Sequence, residues 1–465
     1  MKSSLDASRF YRNSLYQYYS CFTATLTFVV SGMHYSWTSP SLPALLAADS
    51  PVPVTESDGY WLANMPMFGA VAGSLSAPLL VDLLGRRRTI MLCSVPYILS
   101  WIMILFAGRI ELMLAARFIA GISDGWGFSA VPIYIGEITE PKIRGLFGSS
   151  VSVAYILGML LINIVGSYCT VSQTALISCC LPVALLVAAK TIPESPYFLI
   201  MKGNTAGAKE NLRLLRGRFD VDEETARIQG NIEKDASIKT NPTALLTVPA
   251  NRKAFLVLVL LKSTQELSGD SAIAFYTQSI FKEAGSDMPE QLAAIVFFSL
   301  ELLVTAVASG AVDRIGRRPL LIFSVCSVSA TLLAEGGYFY ARNCTAWDVS
   351  GLTAVPLAAL FAFVVCYSLG LKTIPMLMLG EVFQQDVKAV ALCAGDLYAV
   401  LMVTSVTKVF QVTKDAYGMH VPFLFFGASC AALLVPVVLF VPETKGKTLQ
   451  EIQNYFNSQT KTVRV

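Results

Sequence analysis

Twelve long apolar runs limit this chain to very few folds. They centre near residues 28, 69, 98, 125, 157, 182, 265, 301, 330, 364, 400 and 431. Each is about the length a helix needs to cross a bilayer, roughly 20 mostly apolar residues. Only 14% of the chain is charged, while 54% is hydrophobic. A soluble domain carries roughly a quarter charged residues, so lipid has to serve as part of the solvent. The runs do not alternate polar with apolar, which argues against a membrane barrel. A helix satisfies its own backbone where water is absent. The expectation is an all-α integral membrane protein with twelve spans.

The net charge of +3 is too small to suggest a nucleic-acid partner. Its distribution is more informative. Arg86, Arg87 and Arg88 follow the second span, Lys142 and Arg144 the fourth, Arg314, Arg317 and Arg318 the eighth, and Lys445 and Lys447 the last. The loop after the first span holds Asp49, Glu56 and Asp58 without Lys or Arg. Positive loops stay inside, so both termini are expected in the cytosol. The ten cysteines show no paired spacing and read as small hydrophobes, and the two histidines rule out a Cys/His metal pattern. No phosphate-binding Gly-x4-Gly-Lys loop is present, and no cofactor or metal is expected. Asn343-Cys344-Thr345 is a glycosylation sequon in a loop expected outside.

The chain repeats itself. Asp82-x-x-Gly85-Arg86-Arg87 recurs as Asp313-x-x-Gly316-Arg317-Arg318, Glu137-x6-Arg144 as Glu381-x6-Lys388, and Pro193-Glu194-Ser195 as Pro442-Glu443-Thr444. The order is kept and the spacing is nearly constant, so two six-helix halves are expected. The boundaries are a first half at 1–194, a polar linker with short helices at 195–252, a second half at 253–442 and a cytosolic tail at 443–465. Two such halves suit a rocking carrier with its site near the bilayer midplane. The charged repeats then read as gates that close the cytosolic side: Asp82, Arg86, Arg87, Glu137 and Arg144 in one half, and Asp313, Arg317, Arg318, Glu381 and Lys388 in the other.

At these residues the sequence resembles the sugar-porter branch of the major facilitator superfamily, over nearly the whole chain. Further marks are Arg117-x-x-x-Gly121 in the fourth span, grouped here with the gates, and "PIYIGEI" (Pro132 to Ile138). "PESP", "QELSG" (Gln265 to Gly269) and the tail "PETKGKTLQEI" complete the set. The segments "GMHYSWTSPSLPALL" and "DVKAVALC" look most like the insect facilitated trehalose transporter-like group. The resemblance implies a multi-pass plasma-membrane carrier for a hexose or trehalose-like disaccharide, working as a monomer without ATP.

The departures from the family pattern fall on the sugar site. Gln265 is kept, but Glu266 and Ser271 replace a Gln and an Asn, Ser152 replaces a Gln, and Glu301 replaces an Asn. Met376 stands where a Trp usually lines the sugar ring, and Lys372 replaces a small residue. These six, Ser152, Gln265, Glu266, Ser271, Glu301 and Met376, are the expected substrate contacts. Amides both donate and accept hydrogen bonds, whereas a carboxylate only accepts. Buried charge costs about 2.5–3.5 kcal/mol at mid-membrane, so Lys372 is expected to pair with Glu266, Glu301 or Asp396. Thr38 occupies the place of the first-span carboxylate of proton-coupled relatives, so facilitated diffusion is favoured over proton symport. A non-transporting sensor of the same fold is the alternative from another class. His34 is expected in an outer vestibule, and Asp124 is expected to bond a neighbouring helix.

Overall fold

The computed structural model describes residues 2–48, 50, 52–217, 219–237, 243–285, 288–347, 350–352, 354–383, 385–447 and 451. The described elements are helices: α1 (Lys2–Ser36), α2 (Thr38–Leu45), α3 (Glu56–Leu84), α4 (Arg86–Leu105), α5 (Ile110–Ile138), α6 (Pro141–Tyr168) and α7 (Val171–Ala188). Three short helices follow, α8 (Pro196–Met201), α9 (Thr205–Arg216) and α10 (Asp222–Ser237), the last two rich in charged residues. Then come α11 (Ala244–Thr247), α12 (Pro249–Glu266), α13 (Asp270–Ala284), α14 (Glu290–Ile315) and α15 (Arg317–Cys344). Last are α16 (Val355–Leu369), α17 (Ile374–Val382), α18 (Gln385–Tyr417) and α19 (His420–Phe440). The chain forms two compact units, Met1–Trp37 with Ala44–Ile238, and Thr38–Pro43 with Lys239–Val465.

All twelve expected spans are helical, six to a half. Among the described residues nine helical segments are long and apolar enough to cross a membrane by that criterion alone. The three spans that fail it are the polar ones. α1 is rich in Ser, Thr and Tyr, α5 carries Arg117 and Asp124, and α12–α13 carries Lys262, Glu266 and Asp270 and is broken. Polar groups inside the bilayer are costly and mark function or structural bonds.

Sequence explains how the spans pack. Gly69 and Gly73 of α3 face Gly121 and Gly125 of α5, each pair at a spacing of four. A Cβ at Gly69 would lie 2.0 Å from the Phe118 carbonyl oxygen, and one at Gly121 2.1 Å from that of Pro66. Only glycine admits backbones this close, and such contact replaces the hydrophobic drive that lipid removes. Thr55 with Asp58 and Thr170 with Gln173 form capping boxes at the starts of α3 and α7, meeting N–H groups the helices cannot satisfy.

Asp124 accepts hydrogen bonds from Ser31 Oγ (2.5 Å) on α1 and Tyr97 Oη (2.6 Å) on α4. It ties three helices together, as expected. His34 differs from expectation. It is fully buried, with its ring stacked 4.1 Å from Trp101 and 5.2 Å from Tyr97. The flat rings of α4 offer more contact than a wet vestibule would. The cysteines also split. Cys21, Cys93 and Cys430 are buried, whereas Cys180, Cys326, Cys344 and Cys393 are exposed. An apolar surface that meets lipid accepts a thiol as readily as a core does.

Candidate functional site

Two of the spans in the second unit are interrupted. α12 ends at Glu266, the chain turns through Gly269 at φ +78°, and α13 begins at Asp270. α16 ends at Leu369, and α17 resumes at Ile374. Non-helical backbone at membrane depth is tolerated where it is buried in protein or lines a cavity.

Polar side chains gather at these breaks. Glu301 of α14 is buried (1% exposed), and its carboxylate meets the Lys372 ammonium from the α16–α17 break. Of the three acids expected as partners for Lys372, Glu301 is the one that bonds it. Asp270 also acts on Lys372 and lies beside the Tyr367 hydroxyl of α16. Tyr367 is itself buried, with its ring centroid 6.0 Å from the Lys372 ammonium. Ser271 donates to Glu266 Oε2 at 2.7 Å. Lys262 of α12 is the cation that acts on Glu266 and on Asp396 of α18. Gln265 is half-buried, and its amide oxygen is enclosed without a donor among the described residues.

The expected contacts Gln265, Glu266, Ser271 and Glu301 therefore lie on the elements of this cluster. Met376 lies one turn into α17 and is 56% exposed. Ser152 lies half-buried on α6 of the first unit. Asp270, Lys262 and Tyr367 are members that sequence reasoning missed. The signal was there for Asp270, a further acid immediately after "QELSG" in an apolar stretch.

The charged repeats form a second kind of site. In the first unit, Arg86 of α4 holds Glu137 of α5 with Nε and Nη2 at 2.9–3.2 Å, while Asp82 lies 3.9 Å from its Nη1 and is mostly exposed. Ser195 Oγ also bonds Glu137. Glu194 accepts from the backbone N–H of Arg86 (2.9 Å) and Arg87 (3.0 Å), and so occupies the N-terminus of α4. Arg87 donates to the carbonyls of Ala189 (3.2 Å) and Lys190 (2.6 Å).

The second unit repeats the device. Glu443 accepts from the N–H of Arg317 (3.1 Å) and Arg318 (3.0 Å) at the start of α15, and Arg318 Nη2 reaches the Val438 carbonyl at 2.6 Å. A carboxylate at a helix N-terminus meets unpaired N–H groups and the positive end of the dipole. Gly85 and Gly316 make room, at φ +94° and +109°. A Cβ there would lie 2.5 Å from Glu194 Oε2 and 2.9 Å from Glu443 Oε2. The "PES" and "PET" repeats are thus caps for the Asp-x-x-Gly-Arg-Arg repeats, a pairing the sequence displayed without declaring. Partial burial pushes the Glu443 carboxyl up. The N–H donors of Lys445, Arg318, Arg317 and Thr444 outweigh it, so its pKa falls below the ordinary value of 4.5.

Arg117 stands apart from these clusters. It is fully buried near the other end of α5, donates to the carbonyls of Leu62 (3.0 Å) and His34, and lies 5.3 Å from the Trp37 ring centroid. The side chains of Arg144, Asp313, Glu381 and Lys388 lie outside the described residues. Asn343 is exposed at the end of α15.

The family profile described as "Sugar (and other) transporter" matches residues 10–456. The chain belongs to the sugar transporter family. It is 34% identical over 444 residues to a facilitated trehalose transporter Tret1 of Culex quinquefasciatus, covering 94% of this chain and 85% of that one. It is 33% identical over 458 residues to the Tret1 of Polypedilum vanderplanki, covering 97% and 91%. Against the Tret1 of Aedes aegypti, at 34% identity, the match covers 94% of this chain but only 54% of the longer relative. Among solved structures, an inward-open xylose transporter XylE from E. coli matches with a TM-score of 0.78 at 20% identity, over 94% of this chain and 98% of that one. XylE described as a proton:xylose symporter bound to 6-bromo-6-deoxy-D-glucose matches with a TM-score of 0.75 at 21% identity, over 96% and 100%. These two likenesses fix the fold, that of the major facilitator superfamily. A sugar transporter of this family is a multi-pass membrane protein, not an enzyme.

Proposed function

We propose that the chain carries a neutral sugar, a hexose or trehalose-like disaccharide, down its own gradient by alternating access. The observation that carries this reading is the polar cluster at the two helix breaks, in a member of the sugar transporter family. Gln265, Glu266, Ser271, Glu301 and Met376 are the assigned contacts in the second half and Ser152 in the first. Lys372 is engaged by Glu301. An ammonium already engaged is a poor anchor for an acidic substrate, which favours a neutral one. The names of the trehalose-transporting relatives support the disaccharide.

The halves run 1–194 and 253–442, joined by the linker 195–252 and followed by the tail 443–465. Asp82, Arg86, Arg87, Glu137 and Arg144 gate one half, with Asp313, Arg317, Arg318, Glu381 and Lys388 their counterparts. Arg117 holds α1 and α3 at the other end of α5. The carrier is a plasma-membrane monomer with both termini cytosolic and a glycan at Asn343.

The test is tracer exchange of labelled trehalose and labelled glucose by the purified chain in liposomes, with sugar binding measured in parallel. Exchange of either sugar, impaired by Glu266→Gln, supports the assignment. Binding without exchange means a sensor.

A further inference from the structure

The polar cluster adjoins a helix that is jointed twice. α13 leaves α12 through Gly269 at φ +78°, and its backbone departs from helical angles again at Tyr276 (φ −115°, ψ 19°). The inner piece carries Ser271, which bonds Glu266 across the first joint at 2.7 Å. The outer piece runs to Ala284 and ends at Gly285, φ +66°. Joints of this kind let a short segment move as an arm, with the backbone change absorbed at a few residues.

The rings along the outer piece do little to fix where the arm lies. Tyr276 stacks on Phe410 of α18 at 5.4 Å, and Phe281 meets Phe297 of α14 at 6.2 Å and Phe361 of α16 at 6.0 Å. Apolar contact is non-directional, so such rings slide over one another. The directional bonds are at the tip. Arg342, in the last turn of α15, donates Nη1 to the carbonyl oxygens of Glu283 (3.0 Å) and Ala284 (2.7 Å). These are the last two carbonyls of α13, which have no donor within their own helix. A cation also suits the negative end of the helix dipole. The guanidinium lies across Gly285, where a Cβ would stand 3.1 Å from Nη2. Its own helix is a firm post, continuous from Arg317 to Cys344 and capped at its start by Glu443.

We propose that Arg342 is a positioning residue for sugar entry: it pins the tip of α13 to α15 and so keeps the arm from folding over the polar cluster from the outer side. The inference rests on the carrier reading and its orientation above. An unpinned arm closes that entrance more of the time. The apparent affinity for external sugar then falls by the fraction of carriers left open.

The experiment measures uptake of labelled trehalose and labelled glucose by cells that lack their own carriers and express the full chain, over a range of external sugar, with the chain at the cell surface counted. Arg342→Ala should raise the half-saturation for entry about fivefold and leave the maximal rate per surface carrier within about twofold. A folding defect alone would do the reverse, giving fewer carriers at an unchanged half-saturation. Arg342→Lys keeps a cation and donors at the tip and should restore most of the parent half-saturation. Lys282→Ala removes a cation from the last turn of α13 itself, leaves the two Arg342 bonds in place, and should match the parent.

A parent half-saturation in Arg342→Ala, or an equal rise in Lys282→Ala, overturns the proposal. Where Arg342→Ala does not reach the surface, Gly285→Ala decides. Its Cβ crowds the guanidinium off the carbonyls with the charge kept, so the half-saturation should rise, and an unchanged value overturns the pin. If the parent moves neither sugar, the carrier reading fails, and backbone hydrogen exchange over residues 277–284 judges the pin separately. Faster exchange in purified Arg342→Ala than in the parent and Lys282→Ala supports the pin, and equal rates refute it.

Discussion

Lys372→Met is the substitution whose consequences the structure constrains most tightly. The Glu301 side chain is 2% exposed and that of Lys372 15%, so the pair is effectively out of water. Removing one partner of a buried pair costs about 3–5 kcal/mol, because the other charge is left stranded. Lys372→Met strands Glu301 and also deprives Asp270 of its cation. A loss of about 3 kcal/mol is expected, which for a unit of this size lowers Tm by roughly 6–12 °C. Glu301→Gln is milder, since Lys372 keeps Asp270. About 1 kcal/mol is expected there, a drop of roughly 2–4 °C. The double variant removes both the cation and one of the acids it left behind, so it should recover most of the difference and sit near Glu301→Gln. Thermal unfolding of the detergent-purified proteins at one pH gives all four corners of the cycle. The reasoning fails if Lys372→Met is no worse than Glu301→Gln, or if the double variant loses the sum of the two.

Three further outcomes are expected. Gly85→Ala forces φ +94° on a residue with a Cβ and drives that Cβ to 2.5 Å from Glu194, so it should cost about 1–3 kcal/mol in thermal unfolding; Gly316→Ala, whose Cβ would meet Glu443 less closely, at 2.9 Å, should cost less. The Glu443 cap of α15 has its folded pKa below the ordinary 4.5, so its stabilising effect is full above pH 4.5 and is lost as the pH falls through the lower folded value. A Tm series should therefore show Glu443→Gln less stable than the parent at neutral pH, with the gap closing only below pH 4.5. Glu335 on α15 is 1% exposed and neither carboxyl oxygen has a hydrogen-bond partner among the described residues, so Glu335→Leu should raise stability by about 1–3 kcal/mol in the same assay, where most buried substitutions lower it.

The fold was legible because membrane spans are written in composition. The nine mostly apolar segments were found by length and composition. The other three were found as well, because a few polar groups do not shorten an apolar run. α5 keeps its helix through Arg117 and Asp124, because each finds partners on neighbouring helices. The internal repeat was equally legible, since both Asp-x-x-Gly-Arg-Arg turns and both Pro-Glu caps kept their spelling. Their pairing with each other was not legible. Glu194 lies more than a hundred residues after Arg86, and sequence order gives no hint that its carboxylate caps the N-terminus of α4.

The polar cluster was only half legible, for a related reason. Substitutions named the unusual residues, but not which acid a given lysine serves. Lys372 had three plausible acids in sequence, and the fold adds a fourth, Asp270, while handing Glu266 and Asp396 to Lys262. The partition follows from the two breaks. α12 carries Lys262 and Glu266 on one side of the Gly269 turn, and Asp270 begins the next helix on the other. A continuous helix would have kept Glu266 and Asp270 one turn apart on a single face. The break turns the chain between them, so that Lys262 acts on Glu266 and Lys372 on Asp270, while the two carboxyls still feel each other. Lys372 stands on the non-helical link between α16 and α17 and reaches Glu301 of α14 from there, a meeting that spacing along the sequence does not reveal.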